Sequence, residues 1–176
     1  MSLGYLLASL PMLAPERAPQ ITRDAFISSC ESMLSARDAA AVTLLVMGDD
    51  AASDHPYVQQ WRALEAAIAG AVGQRRLAKR GGNIGNYTAP ETSACPVWLL
   101  RAVASAFESS ADPLAREEAL MRIYWSAADE LAGFDPMSKG QIFAYAVRLR
   151  LALHKAARDA AVGAERLEAA LPTQTL

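Results

Sequence analysis

The feature that most constrains this chain is the spacing of its apolar residues, which recur at three- and four-residue steps in segment after segment. In segment 57–80, the residues Trp61, Leu64, Ile68 and Val72 fall on one side at this spacing. Such a stripe predicts an α-helix with one buried face. Aromatic residues make up only 7% of the chain and alanine is abundant, which favours closely packed helices over a sheet. We therefore expect an all-α fold, built as a helical bundle.

Residues that cap helices mark the ends of the remaining helical segments. A Ser, Thr or Asp before an apolar stripe accepts a hydrogen bond from a free N–H group of the first turn, and glycine commonly ends a helix. The predicted caps are Thr22, Ser35 with Asp38, Gly48 as a C-terminal stop, Asp112 before Pro113, and Ser138 with Gln141. They predict a bundle of about six helices, which span 22–34, 35–48, 57–80, 96–109, 113–132 and 139–171.

Two stretches contain loop residues instead of an apolar stripe. Segment 11–20 holds three prolines, which fix φ and lack an N–H donor, so it is predicted to be an extended connector. Segment 80–87 holds three glycines and two asparagines, which tolerate positive φ. A chain of 176 residues is long enough for one domain or two small lobes. The predicted organisation is an N-terminal helical lobe at 1–80, a Gly/Asn-rich connector at 81–95 and a C-terminal helical lobe at 96–176.

Charge and cysteine usage exclude several classes of protein. The formal net charge is −2 and both halves are balanced, so no bulk charge points to nucleic acid. Cys30 and Cys95 are far apart, which argues against a disulfide scaffold or a zinc site. The apolar start at 3–10 has no preceding Lys or Arg and ends early at Pro11, which disfavours secretion. Because no stretch approaches the ~20 apolar residues of a membrane span, we expect a cytoplasmic protein with only indirect membrane contact.

The candidate acid–base and metal-binding side chains form no motif. His55 and His154 belong to no ligand pattern and are predicted to lie on the surface. The acidic pairs on helices point about 100° apart within each pair, so we interpret them as solvated faces. These pairs are Glu117 with Glu118 and Asp129 with Glu130. We therefore assign no catalytic, metal-binding or cofactor-binding residue, expect no cofactor and expect no enzymatic activity.

The last predicted helix is apolar on two sides. One face carries Ile142, Ala146 and Leu149, and the opposite face carries Phe143, Val147 and Leu151. A helix of this kind is buried on two sides, either inside its own fold or against another chain. The candidate partner-binding residues on this helix are Phe143, Val147, Arg150, Leu151, His154 and Arg158.

A second candidate surface is the basic end of the segment 57–80. Arg75, Arg76, Lys79 and Arg80 precede the loop Gly81–Gly85. Backbone amides in a glycine-rich turn and nearby cations both attract anions. These four cations are therefore candidate partner-binding residues, and they also support an alternative function as a small-ligand or anion-binding helical regulatory protein.

Segment 112–131 resembles part of a known family. Arg122, Trp125, Asp129, Glu130 and Leu131 follow the order of an acidic amphipathic helix in the C/d-type subunit family of V/A-type ATPases. The family's next helix is similar to the run that contains Phe134, Ile142, Ala144, Tyr145, Leu149 and Arg150. The opening segments 5–13 and 21–26 are similar to an uncharacterised bacterial family that is encoded beside V-type ATPase subunits.

The chain also departs from the family pattern. Ala127 and Ala128 stand where the family has Tyr and Leu, and the chain is much shorter than a complete three-lobed member of that family. The resemblance implies a non-catalytic helical connector without a cofactor, which couples the rotor shaft to the membrane ring of an ion- or proton-transporting ATPase. The implied partners are other V/A-type ATPase subunits, and the implied location is cytoplasmic and peripheral to the membrane.

Overall fold

The computed structural model describes residues 3–79, 81, 96–109 and 112–158, and these residues form an all-α fold without a strand. The predicted fold class is confirmed. The seven described helices are α1 (Leu3–Ser9), α2 (Arg23–Met33), α3 (Ala36–Met47), α4 (Pro56–Lys79), α5 (Val97–Glu108), α6 (Pro113–Ala132) and α7 (Lys139–Ala156). The helix that sequence analysis missed is α1, whose Leu6 is fully buried in the core.

Most of the predicted caps are present. Thr22 Oγ1 accepts from the backbone N–H of Ala25, and Ser35 Oγ accepts from that of Asp38. The carboxylate of Asp112 accepts from the first turn of α6, as expected for an Asp before a proline. Gly48 ends α3 with a φ of 69°, a conformation that side chains other than glycine rarely adopt.

The capping box predicted at Ser138 is wrong. Ser138 Oγ donates to the carbonyl oxygen of Ala132 at 3.0 Å and makes no hydrogen bond to the first turn of α7. The amide of Gln141 also points back, to the carbonyls of Ala132 and Asp135 at 3.4 and 3.3 Å. Both side chains therefore tie the start of α7 to the C-terminal end of α6. The helix itself ends at Ala156, and the rest of the predicted 139–171 segment lies outside the described residues from 159 onward.

Helix α7 lies at the centre of the bundle and packs most extensively against α6 and α3. The two apolar faces of α7 are both buried within the protein, with Ile142, Phe143, Val147 and Leu149 at most 1% exposed. Phe143 stacks on Tyr57 with ring centroids 4.4 Å apart. Internal burial thus explains the two-faced pattern, and the prediction that Phe143 and Val147 bind a partner is wrong because neither side chain reaches the surface.

The predicted two lobes share one hydrophobic core. Side chains from α2, α3 and α4 belong to the same buried cluster as those from α5, α6 and α7. Helix α4 packs against both α5 and α6, and α3 packs against α7. The helices on either side of the connector therefore form one bundle, while the connector itself, except for Gly81, lies outside the described residues.

A close approach between α6 and α7 sets the geometry of one end of the bundle. A Cβ atom on Gly140 would overlap the carbonyl oxygen of Leu131 and would come within 2.9 Å of that of Ala132. These are backbone atoms, which cannot move aside without displacing the helix. Nearby, Arg148 of α7 pairs with Asp129 of α6. The two helices are therefore held at a distance that only glycine permits at position 140.

Candidate functional site

A furrow of two adjoining cavities lies on the surface where α4, α6 and α7 meet. The first cavity, of about 590 Å³, is lined by apolar residues of α4 and α6 and by Arg76, His154 and Arg158. The second, of about 490 Å³, includes Arg23 and Arg150. Tyr124, Leu151 and His154 line both cavities. The two cavities therefore form one continuous surface, which we call the furrow.

The structure brings together five of the ten predicted partner-binding residues at this furrow. They are Arg76, Arg150, Leu151, His154 and Arg158. Their sequence positions fall in two segments more than 70 residues apart, which come together because α4 and α7 both pack against α6. Spacing along the chain carries no signal for such a pairing, because it depends on which helices become neighbours.

Arg75 and Lys79 do not line the furrow. Arg75 pairs with Glu108 of α5 at 3.5 Å. Lys79 is exposed in the last turn of α4, where a cation favours the helix dipole. Arg80 and most of the Gly81–Gly85 loop lie outside the described residues. The anion site predicted at that loop therefore stays a prediction, while Arg76 lines the first cavity one turn earlier.

The furrow carries more positive than negative charge. Arg158 Nη2 pairs with Glu117 Oε1 at 2.7 Å, and Arg150 Nη2 pairs with Glu65 Oε1 at 2.7 Å. Arg76 of the first cavity has no ion pair with the described residues, nor does Arg23 of the second. The Nε atom of Arg23 is buried and has no hydrogen-bond partner within the described part of the chain. This arrangement suits an anion.

Tyr124 lines both cavities of the furrow. Burial raises the pKa of its hydroxyl, and the nearby Glu65 raises it further, while Arg150 and Arg76 oppose this shift. The hydroxyl consequently stays protonated at neutral pH and is able to donate a hydrogen bond. The sequence does not single out Tyr124, because its place in both cavities depends on how α6 packs against the other helices.

A second candidate surface lies at the turn between α6 and α7. Phe134 is fully exposed, and Met137 in the same turn is 60% exposed. Trp98, at the start of α5, is anchored to this end of the bundle by a 3.1 Å hydrogen bond from Nε1 to Glu130 Oε1. We call these three apolar residues, Trp98, Phe134 and Met137, the end patch. The signal in the sequence was an aromatic residue between Gly133 and Asp135, where turns are usually polar.

A buried polar cluster connects α3, α7 and the loop before α4. His55 is only 5% exposed, so the prediction of a surface histidine at this position is wrong. Its Nε2 lies 3.2 Å from Asp38 Oδ1, and Lys139 Nζ donates to Asp38 Oδ2 at 2.7 Å. Burial would raise the pKa of Asp38, but hydrogen bonds from Lys139, Ser35 and His55 outweigh it and lower the pKa to about 2. The cluster therefore contains an ionised carboxylate that links α3 to α7 and to the loop before α4.

The exposure predicted for five other polar residues agrees with the structure. His154 is exposed, as are Glu117, Glu118, Asp129 and Glu130. Within the described ranges, His, Cys, Asp and Glu side chains form no group of three that could hold a metal ion. None of the described helices combines the length and apolar character that crossing a membrane requires.

No protein-family model matches the chain, and no match to it is found among curated proteins or solved structures.

Proposed function

We propose that this chain is a non-catalytic helical subunit or accessory protein of a V/A-type rotary ATPase. In this role it contacts other subunits of the complex, at the rotor shaft and the membrane ring, from the cytoplasmic side of the membrane. The observation that carries the proposal is the end patch, where large apolar side chains of α5 and the α6–α7 turn face solvent. Aromatic residues and methionine are enriched in protein interfaces, so this surface suits a protein partner.

The end patch lies beside a closely packed part of the bundle. The α6–α7 turn connects two helices that approach each other closely at Gly140 and are joined by the Arg148–Asp129 ion pair. The hydrogen bond to Glu130 orients the indole of Trp98. A surface that is already ordered loses less conformational entropy on binding than a mobile one. This is the property that a coupling element needs.

The position of the end patch also supports the proposal. Two of its three residues, Phe134 and Met137, lie within or beside the segments that resemble the C/d-type subunit family, since these segments include α6 and the first half of α7. The same turn therefore combines the family resemblance with the most exposed aromatic side chain of the described residues. The furrow lies farther along α6 and α7 and is not required for this contact.

The test is co-purification from the native host. We expect the tagged full-length chain to retain V/A-type ATPase subunits, identified by mass spectrometry, when the extract is prepared without dissociating the complex. Replacing both exposed side chains of the turn, Phe134→Ser with Met137→Ser, should reduce the recovered subunits at least tenfold. A tenfold loss of affinity corresponds to about 1.4 kcal/mol, less than a typical pair of interface anchors contributes.

Leu114→Ser is the matched control. Leu114 is 63% exposed at the opposite end of α6, so this variant removes an exposed apolar side chain outside the end patch. We expect it to recover as much ATPase as the unmodified chain. Recovery of the chain free of rotary ATPase subunits, from extracts in which the ATPase itself stays intact, would contradict the proposal.

A further inference from the structure

We propose that the furrow binds an amphiphilic anion, a single unbranched apolar chain that carries one carboxylate or phosphate group. This inference goes beyond the ATPase role and does not depend on it. The first cavity of about 590 Å³ is within the size range of about 300–1,000 Å³ that is common for small-molecule sites. A ligand of this kind would place its apolar chain between α4 and α6 and its anionic group towards the C-terminal end of α7.

The apolar half of the ligand is matched by the walls of the first cavity. Val72 of α4 and Met121 of α6 are almost completely buried, and Leu120 and Leu151 are partly buried at its sides. A small inorganic anion would leave the partly exposed Leu120 and Leu151 in contact with water. An alkyl chain covers them instead, and each methylene buried in this way improves the affinity roughly fourfold.

The anionic half is matched by the cations of the same cavity. Arg76 is not paired with any described acidic residue, and His154 is exposed beside it in the cavity wall. Arg158 is already held by Glu117, and Arg116 of the same cavity also has contacts within the protein. An incoming anion would therefore neutralise Arg76. Charge-assisted hydrogen bonds from a guanidinium are among the strongest that proteins make, particularly beside apolar surface.

The second cavity adds a further donor close to the first. The buried Nε of Arg23 has no hydrogen-bond partner among the described residues, and the Tyr124 hydroxyl lies between the two cavities. A buried donor without a partner, on a residue that lines a cavity, is available to an oxygen atom of a ligand. An anion with several oxygen atoms supplies acceptors for these groups.

The experiment is isothermal titration calorimetry of the full-length chain with defined single-chain probes below their micelle concentrations. We expect decanoate to bind with one site per chain and octanoate to bind roughly 15-fold more weakly, because two methylenes are lost. Decanol, which lacks the charge, should bind about tenfold more weakly than decanoate. Inorganic phosphate and decyltrimethylammonium should show no measurable binding.

Substitutions at the exposed cations locate the site. Arg76→Gln and His154→Gln should each weaken decanoate binding, the first by about tenfold. Arg122→Gln is the control, since Arg122 is an exposed arginine of α6 that does not line the furrow. Circular dichroism of each variant verifies that the helices are intact.

Several results would overturn the inference. Absence of decanoate binding, equal affinity for decanol and decanoate, or equal losses in the Arg76 and Arg122 variants would each do so. Binding of phosphate with the affinity of decanoate would show that the apolar wall contributes nothing. Binding to vesicles of anionic phospholipid without binding to monomeric decanoate would assign the cations to a membrane surface instead of an enclosed ligand.

Discussion

Replacing the buried carboxylate of Asp38 by an amide tests the polar cluster most sharply. In the unmodified chain, hydrogen bonds from Lys139, Ser35 and His55 outweigh the effect of burial and lower the pKa of Asp38 from its ordinary value of 3.8 to about 2. The folded protein therefore holds the ionised form more strongly than the unfolded chain does. The amide in the Asp38→Asn variant cannot ionise, so this variant lacks the stabilisation at every pH.

The pH dependence gives the magnitude. A pKa unit corresponds to 1.36 kcal/mol, so a decrease from 3.8 to about 2 stabilises the fold by about 2 kcal/mol at neutral pH. As the pH falls through 3.8, the unfolded chain takes up a proton that the folded protein does not, and the stabilisation declines. We expect it to fall by about 1 kcal/mol by about pH 3 and by about 2 kcal/mol by about pH 2.

Urea denaturation followed by circular dichroism measures this effect. The difference in unfolding free energy between the unmodified chain and Asp38→Asn should be largest above about pH 5 and should shrink by about 2 kcal/mol towards pH 2. Asp54→Asn is the control, because the Arg37–Asp54 pair is exposed to solvent and such pairs contribute little. A difference for Asp38→Asn that stays constant with pH would refute the proposed role of the carboxylate.

Three further substitutions or reactions test the packing. Gly140→Ala should destabilise the bundle by about 3 kcal/mol in urea denaturation, because the added methyl group overlaps backbone carbonyls of α6. Burial, aided by the charge of Glu31, raises the pKa of Cys30 to about 12, so in a Cys95→Ser variant the thiol should react with a disulfide reagent only after unfolding. Tyr145→Phe should cost about 1 kcal/mol, since the hydroxyl donates to the carbonyl of Pro11 at 2.9 Å; unchanged stability would show that this bond contributes nothing.

Local signals predicted the helices well. The caps at Thr22, Ser35 and Asp112 depend on side chains two or three residues from their partners, so they can be predicted from sequence alone. The capping box at Ser138 failed because the same hydroxyl found a better acceptor at the end of α6. Competition of this kind depends on a neighbouring helix, and sequence patterns do not contain the position of that neighbour.

The sequence patterns do not show which distant residues come into contact. They correctly predict that α7 is covered on two sides, and the structure shows that this chain itself covers both sides. The cluster of Asp38, His55 and Lys139 joins residues up to 101 positions apart, and no single partner has an unusual sequence context. The furrow likewise arises only when α4 and α7 both pack against α6.

The measurement that most directly tests the proposed function is a direct binding titration of the purified chain with a purified V/A-type ATPase. The account predicts a saturable complex whose dissociation constant rises at least tenfold in the double variant Phe134→Ser with Met137→Ser and is unchanged in Leu114→Ser. It is contradicted if the chain and the ATPase form no complex, or if both variants bind as tightly as the unmodified chain.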